Sequence, residues 1–222
     1  MTRIIGDIHN RWFEYLDILG DTKDSVQVGD FGVGFCGKYW SERADTFQSQ
    51  NPTHRFIRGN HDYPLHCKNE MSGYIGDGKI EGTTMFIGGA FSVDYSRRRE
   101  FDGSFNDGKN WWRDEELSYT ELDQMVSLYE KTKPLVMITH DGPQKTTKEM
   151  FIDSGISTYT SGKQVLTRTG QAFQTMFEIH QPKFWFFGHY HRTLEYKVGD
   201  TTFHCIGELD YIDFDLLNVE YI

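Results

Sequence analysis

Short apolar runs, each closed by glycine or a polar turn, recur along this chain. Residues 2–5, 25–28, 54–57, 134–138 and 183–187 are such runs, and Gly6, Gly29, Arg58-Gly59, Thr139 and Gly188 follow them. Runs this short and this apolar read as strands buried in a sheet. Between the first two, Trp12, Phe13, Leu16 and Leu19 recur at helical spacing up to Gly20. The stretch 39–50 continues as helix and stops near Asn51-Pro52, because a residue before proline is pushed out of helical geometry. Strand, helix, strand, helix, strand is the pattern of parallel βαβ units. In such sheets ligands gather beyond the C-terminal strand ends.

Further along, residues 79–87 predict a hairpin ending at Gly88-Gly89. Ser118 with Glu121 forms a capping box that opens a helix through about Lys131. A second helix is expected over 169–180, stopped by Pro182. Residues 194–219 read as an antiparallel meander turning at Gly199-Asp200. The front half is therefore expected to be parallel and the back half antiparallel. An α/β fold accommodates both: a two-sheet mixed β sandwich flanked by helices, built as one domain over 1–222.

The turns after these strands carry the chemistry. They read Gly6-Asp7-Ile8-His9, Gly29-Asp30, Gly59-Asn60-His61-Asp62, Thr139-His140 and Gly188-His189-Tyr190-His191. Asp7, His9, Asp30, Asn60, His140, His189 and His191 make a mixed oxygen and nitrogen donor set without thiolates. Such a set suits Mn²⁺, Fe or Zn²⁺ rather than a structural zinc knot. Seven donors are too many for one tetrahedral ion and fit two ions sharing a carboxylate, for which Asp30 is suited.

Composition narrows the setting. The 33 acidic residues against 23 basic give a formal net charge of −10, which disfavours extended binding along nucleic-acid phosphates. Cys36, Cys67 and Cys205 show no pairing pattern, as expected of buried free thiols in a reducing compartment such as the cytoplasm. No cleaved signal is expected from the first residues, and no apolar run approaches the roughly 20 residues of a membrane span.

In combination, the five motifs resemble those of the calcineurin-like metallophosphoesterase superfamily. The resemblance spans residues 6–191 and implies an αββα sandwich with two divalent cations, Mn²⁺ first, with Fe, Zn²⁺ or Ni²⁺ as alternatives. It implies that Asp7, His9, Asp30 and His191 hold one ion, and Asp30, Asn60, His140 and His189 the other. His61 would then protonate the leaving oxygen after attack by a hydroxide held between the ions. Asp62 is expected either to orient His61 or to cap its loop. Three departures stand out: Asn10 for a glycine, Thr139 for the glycine before His140, and a second motif lacking the later Asp and Arg of protein phosphatases. The expected substrate is a small phosphorylated compound or nucleotide, cleaved as monoester or diester. The alternatives are a Ser/Thr-type protein phosphatase and, from another class, a catalytically idle scaffold.

Residues 93–116 predict a lid-like loop. In one reading Arg97, Arg98 and Arg99 meet substrate phosphate beside Asn60, and Trp111 and Trp112 face a ring. In the other, the tryptophans pin the loop to the core and the arginines pair with acids.

Overall fold

The computed structural model describes residues 1–35, 38–100, 111–155 and 166–220, apart from the side chains at 38, 39, 99 and 100. The chain alternates as expected at its start: β1 (Thr2–Ile5), α1 (Trp12–Leu19), β2 (Ser25–Gln27), α2 (Lys38–Gln50) and β3 (His54–Phe56). After α3 (Pro64–Glu70) come β4 (Lys79–Glu81), β5 (Thr84–Ile87), α4 (Tyr95–Glu100) and α5 (Tyr119–Thr132). The remainder is β6 (Val136–Thr139), α6 (Gln144–Asp153), α7 (Arg168–Ile179), β7 (Phe184–Phe187), β8 (Leu194–Val198), β9 (Thr201–Cys205) and β10 (Tyr211–Phe214).

The strands form two sheets, one ordered β10-β1-β2-β3 and the other β4-β5-β6-β7-β9-β8. In the first, β1, β2 and β3 run parallel; in the second, β5, β6, β7 and β9 do. Side chains alternate across each strand. Val136, Ile138 and Phe186 thus face Ile4, Val26 and Ile57 of the first sheet. Met137, Trp185 and Phe187 point the other way, onto Tyr129, Phe173 and Phe177 of the covering helices. Trp12, Tyr15 and Leu19 cover the outer face of the first sheet against Phe56. Strands buried on both faces carry continuous apolar runs, as this sequence does. The expected αββα sandwich is the fold.

The structure corrects several details. The back half is not an antiparallel meander: β9 inserts between β7 and β8 and pairs parallel with β7, leaving only the β8–β9 hairpin antiparallel there. β10 crosses to the first sheet and pairs antiparallel with β1. Three helices were not anticipated. α3 starts on Pro64 and has seven residues, α4 reads Tyr-Ser-Arg-Arg-Arg-Glu, and α6 has no side-chain cap. None of the three offers an apolar stripe over several turns. Of the lid-like loop at 93–116, α4 is helical and 101–110 lies outside the described residues, as does Cys36. Trp112 is buried and stacked on Tyr63, which favours the pinning reading.

Candidate metal centre

The turns after β1, β2, β3, β6 and β7 converge where the parallel strands of both sheets end. Their backbone is unusual. His9 (φ 45°), Asn10 (63°), Asp30 (56°), His189 (68°) and His191 (52°) all lie in the left-handed region. There a residue with a side chain costs of order 1–3 kcal/mol and persists only when its surroundings hold it. The turn accepts Asn10 as expected, and the Asn10 amide donates to the Phe35 carbonyl at 2.5 Å. Two motif glycines are needed for space. A Cβ on Gly59 would lie 2.1 Å from Asp30 Oδ1, and one on Gly188 would lie 2.2 Å from Asp7 Oδ1.

Two donor groups result, sharing Asp30. In one, Asp7, His9, Asp30 and His191 each offer an atom, all within 4.8 Å of one another. His9 Nε2 and His191 Nε2 are 2.9 Å apart, and His191 Nε2 is 3.2 Å from Asp7 Oδ2. In the other, Asn60 Oδ1 lies 3.0 Å from both His140 Nε2 and His189 Nδ1. His140 Nε2 is also 3.3 Å from Asp30 Oδ1, while Asp30 Oδ2 faces His9 Nδ1 at 3.9 Å. One oxygen of Asp30 therefore addresses each group. Asp7, Asp30, Asn60 and His140 are almost fully buried.

Charge is unevenly settled here. Burial opposes ionisation of Asp30, yet the imidazoles of His61, His140 and His9 hold its carboxyl well below the usual range. Burial disfavours a charged His140 too, but Asp30 and Asp7 outweigh it and push the imidazole up to about 10. His189 is held down to about 4 by burial and by His140. His191 is raised by its hydrogen bond to Asp7.

His61 lies beside the shared carboxylate, with Nε2 3.7 Å from Asp30 Oδ2 and its backbone N–H donating to Asp30 Oδ1 at 2.7 Å. His9 and Phe35 pack edge-on against its ring. The Arg98 guanidinium covers it, terminal nitrogens 2.7 and 2.6 Å from Nδ1 and Nε2, while Arg98 Nε binds Asp94 at 2.6 Å. Burial holds the His61 imidazole down to about 3; Asp30 pulls it up, and Arg98 adds to the depression. Of the three arginines, Arg98 reaches the site, Arg97 is exposed, and the Arg99 side chain lies outside the described residues. Asp62 is corrected as a direct orienter of His61. Its buried carboxylate instead accepts from the amides of Phe31 (3.1 Å), Gly32 (2.6 Å), Val33 (2.8 Å) and Gly59 (2.7 Å). It staples the second motif loop to the third.

The family model for calcineurin-like phosphoesterases matches residues 2–193. The chain belongs to that family. Among curated proteins nothing matches it. Among solved structures 27 chains match. One is described as "GAP50 the anchor in the inner membrane complex of Plasmodium", with 10% identity, a TM-score of 0.43, and coverage of 93% of this chain and 71% of that one.

The residues fit the divalent cations this calcineurin-like family implies. His140 Nδ1 lies 2.9 Å from the Val28 carbonyl, a contact that requires N–H there and turns Nε2 inward. There Nε2 meets Asn60 Oδ1 and Asp30 Oδ1, both acceptors. Acceptors crowded at 3.0–3.3 Å need a positive centre beside them, which the raised His140 imidazole supplies as a proton and a divalent cation can replace. The carbonyl contact is the outer support expected of a metal-binding imidazole.

Four supporting residues were not anticipated. Buried Gln27 bonds Gly6 O and both the N–H and carbonyl of Gly29, tying the first two motif loops together. Thr139 explains its departure from the family's glycine: its hydroxyl donates to Asp141 O at 2.6 Å and accepts from Trp185 Nε1 at 2.8 Å. Ser92 and Glu115 form a third support behind Asn60. A signal existed for Ser92, since it follows a strand closed by Gly88-Gly89, as the ligand loops do. His54 and His204 take ordinary places, the first at 2.9 Å from Ser25 Oγ and the second stacked on Phe186. Cys67 and Cys205 are buried free thiols. Among the described residues, no helix is long and apolar enough to cross a membrane.

Proposed function

We propose that this protein hydrolyses phosphoesters of small phosphorylated compounds or nucleotides, using two divalent cations of which Mn²⁺ is the first candidate. The supporting observation is the pair of donor groups joined through Asp30, with His61 and Arg98 beside them. Asp7, His9, Asp30 and His191 would hold one ion, and Asp30, Asn60, His140 and His189 the other. When bound, such ions polarise phosphoryl oxygens and lower the pKa of water toward neutrality.

The chain's own groups do the rest. Asp30 divides its oxygens between the two donor groups and fixes the His61 backbone through one of them. Arg98 presents a fork of N–H donors suited to phosphate oxygens, and Asp94 aims it. Phosphate taking up that guanidinium would remove one cause of the His61 depression, so that Asp30 can favour a ring protonated from solvent, which then passes that proton to the departing oxygen. The second motif lacks a further Asp and Arg, which argues against a protein phosphatase. The acidic balance argues against a nuclease. Cysteines without a pairing pattern suit the cytoplasm.

The test is hydrolysis of p-nitrophenyl phosphate and bis-p-nitrophenyl phosphate with Mn²⁺. Turnover that EDTA abolishes and Mn²⁺ restores is expected. Arg98→Ala should raise KM about tenfold, the loss of one charge-assisted contact of about 1.4 kcal/mol, while Arg97→Ala leaves it unchanged. Metal-loaded protein that turns over neither ester with any divalent cation overturns the proposal in favour of a scaffold.

A further inference from the structure

Asn60 has an amide that works in only one orientation. Its oxygen must face His140 and His189 for the second donor group to hold a cation. Flipped, its NH₂ would face those two imidazoles, and the second donor group would lose its neutral oxygen. A side chain 2% exposed is closed to bulk solvent, so its other neighbours bias the choice between these states.

Those neighbours form a chain of fixed polarity. Asn60 Nδ2 donates to Ser92 Oγ at 3.0 Å. Ser92 Oγ donates to Glu115 Oε2 at 2.6 Å, and Ser92 N–H to Glu115 Oε1 at 2.8 Å. A hydroxyl has one proton. An ionised carboxylate only accepts, so it takes that proton and leaves the serine oxygen able only to accept. The sole group Asn60 can offer it is N–H, and Oδ1 is thereby turned to the imidazoles. Ser92 and Glu115 are themselves 1% and 3% exposed. Arg58, also buried, fastens this support by donating to the Glu115 carbonyl at 2.7 Å.

We infer that Ser92 and Glu115 are positioning residues which set the polarity of the Asn60 amide and so prepare the second cation site. This rests on the metal reading above. It assigns work to two residues that touch neither the ions nor the substrate.

The experiment is calorimetric titration of metal-free protein with Mn²⁺ at about pH 8, above the value of about 7 to which burial pushes the Glu115 carboxyl. Wild type should bind two ions. Glu115→Gln is nearly isosteric, but its NH₂ can donate to Ser92 Oγ and reverse the chain. It should weaken the second ion about 10- to 100-fold, the usual cost of losing a ligand's outer support, and leave the first unchanged. Ser92→Ala should do the same, and Ser92→Thr, which keeps the hydroxyl, should restore the second affinity. A merely structural effect would lower the melting temperature of metal-free protein without changing the ratio of the two affinities. Glu115→Gln and Ser92→Ala binding both ions as wild type does overturns the inference alone. Wild type that takes up no Mn²⁺ overturns the metal reading, and the relay with it.

Discussion

Asn60 and His61 are neighbours in sequence but stand differently in the site. Asn60 Oδ1 lies among donor atoms, whereas His61 lies outside both groups with Arg98 across its ring. Asn60→Ala is therefore expected to cost one of two bound Mn²⁺ ions in calorimetric titration. His61→Ala should keep both ions and lower kcat about 10²- to 10⁴-fold, the usual contribution of general acid catalysis. Loss of an ion from His61→Ala would show that the division is wrong. The clustered donor residues were legible in the sequence because each is a metal-binding type placed just after a strand. Glu115 was not, and Ser92 had only the glycines before it as a signal, since serine and glutamate are common on any surface. Only the fold brings these two, 23 residues apart, behind Asn60.

At the scale of elements, the βαβ start was legible from its periodicity, and α1 falls where the spacing places it. Short polar helices such as α3 and α4 were not, because tertiary contacts rather than an apolar stripe select them. Nor was the insertion of β9 beside β7, since neither β9 nor β7 carries a local mark of its neighbour's direction. Asp62 belongs to this scale, as the staple between the loops after β2 and β3. Asp62→Ala would leave four amides without their acceptor. An unfolding free energy lower by about 3 kcal/mol or more is expected in urea titration, since buried groups lose a charged partner. Activity should fall only as far as the folded fraction does. Unchanged stability with lost turnover would instead return Asp62 to the proton-transfer machinery.

For the whole molecule, the donor set spans both sheets. Asp7, Asp30 and Asn60 come from the turns of the first sheet, and His140, His189 and His191 from the second. Without cations, the buried carboxylates Asp7 and Asp30 of the first sheet are met across the junction by the imidazoles His140 and His191 of the second. Binding to the folded state alone stabilises it by RT ln(1 + [L]/Kd), about 2.7 kcal/mol per ion at a hundredfold excess over Kd. The melting temperature should therefore rise with the logarithm of Mn²⁺ concentration and fall on adding EDTA. Asp30→Asn should remove most of the increment, because both donor groups lose a carboxylate oxygen at once. Hydrogen exchange locates the effect: protection should rise together at residues 6–10, 29–34 and 59–62 of the first sheet and at 139–142 and 188–191 of the second. Protection confined to one sheet, or a melting temperature indifferent to Mn²⁺, would mean that the ions do not join the two. Ions held across the junction must tighten both sides, because neither sheet alone supplies a complete donor set.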